Sequence, residues 1–325
     1  MRSFIELKVS IIIPLYVIVP RFFRDLKKFR KLNYSNYEIL IVTDREVDNI
    51  DEPKVRVIYT GKKRTGPAEK RDIAISQSKG DICAFIDDDA YPHPNWLKNA
   101  MIHFNHPLIA AVGGPGVTPK EDKYWEQLTG FVYESYFTGG KARYRFVREN
   151  MRFVDDYPAY NLLVRKKVLE DVGGYGSHYY GGEDTFLCLK IHKKGGKILY
   201  DPDVVVYHHR RALFLPYLKQ IANIGRHRGY FARKYPETSR RLFYFLPSSL
   251  VIFGLILILM GLLFNFLYIY FFVFLFIFSY LVSIFSVVRK AGFLDSLIVS
   301  IGILATHVVY GSNFIKGFLT KNIKL

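Results

Sequence analysis

Residues 66–89 read GPAEKRDIAISQSKGDICAFIDDD, and this stretch decides the fold. Pro67 to Ser78 carries helical spacing, with Ile73, Ala74 and Gln77 on one face. The run Asp81-Ile-Cys-Ala-Phe-Ile86 is short and apolar, the pattern of a buried strand. It stops abruptly at three consecutive carboxylates, Asp87, Asp88 and Asp89. Upstream, Val9-Ser-Ile-Ile-Ile-Pro14 reads as another buried strand. It is too short for the apolar core of a signal peptide and runs into a basic stretch rather than a cleavage site, so no signal peptide is expected. Residues 22–32 (FFRDLKKFRKL) then give an amphipathic helix, Glu38–Asp44 a second strand and Val55–Tyr59 a third. Strand, helix, strand, strand, helix, strand predicts a doubly wound α/β domain with a parallel sheet. Ligands bind such sheets at the carboxyl ends of the strands, where both Asp44 and the Asp87–Asp89 cluster fall.

The composition sets the surroundings of that domain. The 325 residues are 50% hydrophobic and 23% charged, and the two classes are segregated: no charged side chain occurs from Tyr244 to Val288. Disorder, a collagen-like fibre and a disulfide scaffold are excluded. Cys83 and Cys188 both lie in apolar stretches, as in a reduced, cytosol-facing domain. Residues 243–264 and 266–288 are each long enough to cross a bilayer. A third segment, 296–316, contains Ser300, Thr306, His307 and Asn313; it is expected to span, with lying at the surface as the alternative. The division expected is a catalytic domain at 1–208, basic membrane-interface helices at 209–242 and a transmembrane region at 243–325.

The net charge is +17, and much of the excess crowds just before the apolar tail, from His208 through Arg226, Arg228, Arg233 and Lys234 to Arg240 and Arg241. Lipid headgroups, a phosphorylated substrate and nucleic acid are the anionic partners that could account for it. Without a helix-turn-helix, zinc-ligand spacing or an aromatic RNA-binding motif, no nucleic acid partner is expected. Headgroup contact accounts for most of these charges. The belt and Arg289-Lys290 favour the cytosolic side. The expectation is a multi-pass protein of the cell membrane with its folded domain on the cytoplasmic side.

Three motifs can carry chemistry. Like charges packed as Asp87-Asp88-Asp89 call for a cation, and oxygen ligands suit Mg2+ or Mn2+ bridging to phosphate; a solvated turn or helix N-cap is the plainer reading. Gly181-Gly182-Glu183-Asp184 precedes a helix and can hold a carboxylate as general base against a hydroxyl, or simply cap that helix. Arg226-His227-Arg228 can grip a pyrophosphate or contact headgroups. His208, after the strand 203–207, is a possible metal ligand or a structural histidine.

Taken together and in order, these stretches resemble glycosyltransferase family 2, the inverting nucleotide-sugar enzymes of GT-A fold. VSIIIPLY at 9–16 is similar to the opening strand of that family, and EILIVTD at 38–44 to its second strand. Residues 66–89 resemble the segment that ends in the family's metal motif. NLLVRKKVLEDVGGYGSHYYGGED at 161–184 resembles the acceptor segment ending in the catalytic pair, and GGKILYDPDVVVYH at 195–208 closes the domain. The resemblance covers roughly residues 8–235, and the apolar hairpin is similar to cellulose-synthase-like and polyprenyl-phosphate sugar synthase branches. It implies that Asp44 bonds the nucleotide base, that Arg71 helps to hold the nucleotide, and that Asp87, with Asp88 beside it, contacts ribose and sugar. Asp89, with Asp87 and His208, would hold the metal, Asp184 would deprotonate the acceptor with Glu183 beside it, and Arg226 and Arg228 would guard the diphosphate. The chain departs from the family at Thr43-Asp44, where two Asp are usual, and at Val17, where Asn is expected. No Trp follows Arg228, which argues against processive synthesis.

The implied reaction is transfer of a hexose, with inversion, from a nucleotide-sugar to a hydroxyl of a lipid-linked acceptor. Mannose from GDP-mannose is the donor expected by analogy, with UDP-linked glucose or N-acetylhexosamine as alternatives. A polyprenyl-phosphate sugar synthase, whose acceptor is the lipid phosphate, is the nearest rival. A catalytically silent nucleotide-binding scaffold is the rival of a different class.

Overall fold

β-branched and aliphatic runs become strands wherever both faces can be covered. Val9–Leu15 (β1) and Ile82–Phe85 (β4) are buried at every position, and Tyr37–Thr43 (β2) along its last five residues. The computed structural model describes residues 7–323 apart from 17, 47–49, 51, 63, 178 and 180, so Val17 lies outside the described residues. The chain divides into two units, one drawn from Met1–Val117 and Val147–His209, the other from Thr118–Phe146 and Arg210–Lys324.

In the first unit, an eight-stranded sheet has the order β3-β2-β1-β4-β9-β6-β10-β8, with β3 at Val55–Tyr59, β6 at Ile109–Gly113, β8 at Arg152–Val154, β9 at Leu162–Arg165 and β10 at Lys197–Tyr200. The sheet is mixed rather than wholly parallel. β9 runs antiparallel to β4 and β6, and β8 antiparallel to β10. The reason is where the chain enters: Leu162 pairs with Phe85, so β9 starts at the carboxyl end of β4 and runs back. That entry point sets Ala159, Tyr160 and Asn161 beside the acidic strand end. Helices α1 (Pro20–Leu26), α2 (Pro67–Gln77), α3 (Trp96–His103), α6 (Lys166–Asp171) and α7 (Glu183–Lys193) complete the unit. Residues 27–31, expected to continue the first helix, tighten into a 3-10 turn.

A three-stranded sheet orders β5 (Ala90–Pro92), β11 (Val206–His208) and β7 (Gly116–Val117). β11 is antiparallel to β5, with His208 opposite Ala90. Buried Asn161 ties the two sheets: it accepts from Trp96 Nε1 at 2.8 Å and donates to the carbonyls of Gly114 and Val204 at 2.6 and 2.7 Å. A buried amide so fully satisfied specifies position as well as stability.

The second unit is helical: α4 (Tyr124–Glu134), α5 (Tyr136–Gly139), α8 (Leu215–Lys234), α9 (Pro236–Ser239), α10 (Leu242–Leu263), α11 (Leu267–Ala291) and α12 (Phe293–Leu319). The last three are long and apolar enough to cross a membrane. Residues 118–146 leave the first unit because Leu128 and Val132, one turn apart on α4, bury against Leu213, Tyr217, Val299 and Ile303.

Candidate active site

Arg71 gathers three acidic residues of the first unit. It sits near the start of α2, is only 3% exposed, and turns its guanidinium across the sheet's carboxyl edge. Nη2 donates to Asp87 Oδ1 at 2.8 Å, Nη1 donates to Glu183 Oε1 at 3.3 Å, and Nη1 lies 3.5 Å from Asp184 Oδ1. Three carboxylates from two distant stretches of the chain thus share one cation. Burial opposes the charge on Arg71, but Tyr175 and the carboxylates of Asp184, Asp87 and Glu183 hold it protonated.

Glu183 and Asp184 form the first turn of α7, reached through Gly181 and Gly182 at φ of 107° and 91°. Only glycine adopts such angles without strain, and the bend aims both side chains back at Arg71. Neither carboxylate caps its own helix. Glu183 Oε2 accepts from Gly181 N at 2.7 Å, and Asp184 Oδ2 accepts from Ala159 N at 3.0 Å. Asp184 Oδ1 is buried and has no hydrogen bond. Burial and the neighbouring Glu183 push the Asp184 carboxyl up to about 7, against the pull of Arg71. A carboxylate held by one oxygen, with the other poised to take a proton near neutrality, is suited to general-base work.

The loop leading to this turn is clamped from two sides. Asp72 accepts from Tyr175 N and Gly176 N at 2.6 and 2.9 Å. Lys190 Nζ donates to the carbonyls of Val172, Gly174 and Tyr175.

The Asp87–Asp89 triplet splits three ways. Asp87 faces Arg71, and burial raises its carboxyl although Arg71 opposes the rise. Asp88 turns away, its Oδ2 accepting from Tyr16 N at 3.0 Å; burial and Asp89 push it up to about 7. Asp89 is half exposed and lies 3.0 Å from His208 Nε2, which the β5–β11 pairing brings alongside and the Tyr160 ring flanks at 4.7 Å. Asp87, Asp89 and His208 can each turn one ligand atom into a cluster within 4.8 Å. Two carboxylates and an imidazole make a donor set that fits a divalent cation.

Asp44 stands apart from that cluster. It accepts from Thr60 Oγ1 at 2.7 Å and Thr65 N at 3.0 Å, and pairs with Lys70 Nζ at 3.0 Å. Burial alone would raise its carboxyl, but the bonds from Thr60, Thr65 and Lys70 bring it down to about 2. Lys70 is fully buried and also donates to Leu15 O at 2.7 Å, joining the ends of β1 and β2.

Arg226 and Arg228 belong to α8, in the second unit. Two positions apart on a helix, they point about 200° from one another and do not share a face. Arg228 donates to Ser239 Oγ at 3.2 Å and lies over the Tyr244 ring, while Arg226 Nε is buried without a hydrogen bond. Sequence reasoning overlooked Lys70, Asp72 and the backbone of Ala159. The first two flank Arg71 in the charged run at 69–72, and that run was the available signal.

Residues 10–173 match the family model described as glycosyl transferase family 2. A pre-mycofactocin glycosyltransferase of Mycobacterium tuberculosis is 25% identical over 177 residues, a match that covers 54% of this chain and only 37% of the relative. A dolichyl N-acetyl-alpha-D-glucosaminyl phosphate 3-beta-D-2,3-diacetamido-2,3-dideoxy-beta-D-glucuronosyltransferase of Methanococcus voltae is 25% identical over 270 residues, with 77% and 83% covered. Among solved structures, the mannosyltransferase PcManGT of Pyrobaculum calidifontis, described in complex with GDP-Man and Mn2+, superposes with a TM-score of 0.63. It shares 17% identity, and the match covers 98% of this chain and 88% of that one. At that identity the likeness speaks for the fold alone, and the fold is GT-A.

Proposed function

Because the chain belongs to glycosyl transferase family 2, we propose that it is a membrane-bound inverting glycosyltransferase. It moves a hexose from a nucleotide-sugar to a hydroxyl of a lipid-linked acceptor, and it is non-processive. The Methanococcus relative, whose name specifies a dolichyl-phosphate-linked sugar, supports an acceptor of this class. The apolar helices support attachment to a membrane, with the catalytic unit on the cytoplasmic side. GDP-mannose is the first donor to try, since the Pyrobaculum protein of like fold is described with it.

Asp184 is the base in this reading. The observation that carries it is the pairing of a fixed Oδ2 with a buried, unbonded Oδ1 on a carboxyl raised to about 7. The proton leaves the acceptor hydroxyl for Asp184 as the bond to the anomeric carbon forms and the bond to the nucleoside diphosphate breaks on the opposite face. Arg71 and Glu183 orient the base and set its charge. Asp44 is the partner for the nucleotide base. Asp87, Asp89 and His208 would hold a divalent cation, Mg2+ or Mn2+, which when bound supplies positive charge to the departing diphosphate.

Transfer by the Asp184→Asn variant, assayed with a sugar-bearing lipid and with a bare polyprenyl phosphate, tests this. A phosphate monoester is already an anion and needs no base. The variant should lose transfer by about 10²–10⁴-fold with a hydroxyl acceptor. Undiminished transfer to the lipid phosphate would instead identify a polyprenyl-phosphate sugar synthase. Binding of nucleotide-sugar without release of nucleoside diphosphate by the parent would identify a silent scaffold.

A further inference from the structure

We infer that α12 does not cross the bilayer but lies along the interface at which the α10–α11 hairpin starts and ends. The inference rests on the membrane reading of α10 and α11 and is independent of the catalytic one.

α10 and α11 form an antiparallel hairpin that meets near its tip, where Gly254 approaches the Phe272 ring and Gly261 approaches Ile269. Their 22 and 25 residues each span roughly 30 Å or more at 1.5 Å per residue. If the hairpin crosses twice, residues 242–248 and 283–291 sit on one side of the membrane and Asn265 on the other. The charges agree: Arg240 and Arg241 precede α10, and Arg289 and Lys290 end α11.

Both ends of α12 are anchored to that same side. Its first residue is joined to α11, which ends in Arg289 and Lys290 on that side, through Gly292 alone. Its last turns pack against the start of α10. The Phe245 ring lies 4.8 Å from Phe314 and 6.0 Å from Phe318, and Ser248 Oγ donates to Gly311 O at 3.0 Å. A spanning α12 would carry residues 311–318 to the level of Asn265, roughly 30 Å from Phe245. Instead α12 bridges the two feet of the hairpin.

The neighbours of α12 agree. α8 runs alongside it in the same direction: Tyr217 Oη is 2.9 Å from Thr306 Oγ1, Gly225 meets Tyr310, Gly229 meets Phe314 and Arg233 reaches the Thr320 carbonyl. Gly225 and Gly229 form a small-xxx-small face that lets the helix backbones touch. A spanning α12 would therefore draw α8 into the hydrocarbon beside it, with exposed Lys219 and Asn223 near the midplane. At the other end, Tyr124 donates to Asp295 at 2.6 Å and Lys290 pairs with Glu134 at 2.6 Å, polar contacts proper to an interface. What α12 leaves uncovered is an apolar stripe of Leu294, Ile301 and Val308, spaced seven apart on one face. The occupant of that stripe is the acyl layer just beneath the headgroups, as for an in-plane amphipathic helix.

The test uses the full chain in sealed vesicles, with single cysteines introduced as Lys290→Cys, Asn265→Cys and Lys321→Cys and a membrane-impermeant maleimide. The native thiols Cys83 and Cys188 are buried and set the background. The expected result is labelling at positions 290 and 321 from one side and at position 265 from the other. Position 321 labelled from the same side as 265 would overturn the inference, and position 265 labelled from the same side as 290 would overturn the hairpin it stands on. Depth-dependent quenching of a fluorophore at Leu294→Cys, Ile301→Cys and Val308→Cys gives an independent reading. These positions lie about 10 Å apart along the helix axis. Equal, shallow depths are expected; a steady descent from 294 to 308 would refute the in-plane placement. A catalytically inactive chain would leave either outcome readable.

Discussion

Replacing Asp184 by asparagine should make the protein more stable while destroying its activity. The Asp184 carboxyl is raised from 3.8 to about 7 by burial and by Glu183. Between those values the folded chain holds a proton that the unfolded chain has released, so this group makes stability fall as pH rises across the window and level off above about 7. Three pKa units correspond to roughly 4 kcal/mol of destabilisation at pH 8. The side chain keeps 23% of its exposure, and solvent screening reduces the figure to about 2–3 kcal/mol. Asparagine keeps an oxygen for Ala159 N and carries no charge beside Glu183. Thermal unfolding of the detergent-solubilised protein with a chelator, from pH 4 to 8.5, should show parent and variant melting together near pH 4. The variant should melt roughly 4–12 °C higher at pH 8, taking about 2–4 °C per kcal/mol. A variant that melts below the parent at pH 8, or a difference that does not vary with pH, would show that Asp184 is not an electrostatically strained carboxylate.

The same carboxyl should govern the rate: log kcat/KM rises with a slope near one up to about pH 7 and then flattens. Glu183→Gln should move that acid limb to lower pH, and an unmoved limb would assign it to another group. Arg71→Met leaves three carboxylates without their buried cation. It should cost about 3–5 kcal/mol at pH 8 and less at pH 5, where the raised carboxyls of Asp87 and Asp184 take up protons; a pH-independent loss in unfolding experiments would speak against the shared pairing. Gly229→Leu puts a side chain into the Phe314 carbonyl, whereas Gly66→Ala meets open space. The first should lower the yield of folded protein in detergent sharply and the second leave it unchanged; equal yields would deny the close α8–α12 crossing.

What could be read before the structure was known was whatever local pattern dictates. Apolar runs at 9–14, 38–44 and 81–86 had to be strands because nothing polar interrupts them for long, and the acidic residues after them had to stand at strand ends. The charge-free stretch from Tyr244 to Val288 had to be apolar helix. The reversed direction of β9, the union of 118–146 with the C-terminal helices, and the gathering of Asp87, Glu183 and Asp184 on Arg71 depend on contacts between residues tens of positions apart, which no periodicity records. Nor does hydropathy tell a helix that crosses a membrane from one that lies on it, as α12 illustrates: the choice belongs to Phe245 and Ser248, side chains on another helix. Sequence by itself determined which segments are buried and which residue types end them. Tertiary structure decided which of those ends meet, because burial is a property of a segment whereas the pairing of charges is a property of the space between segments.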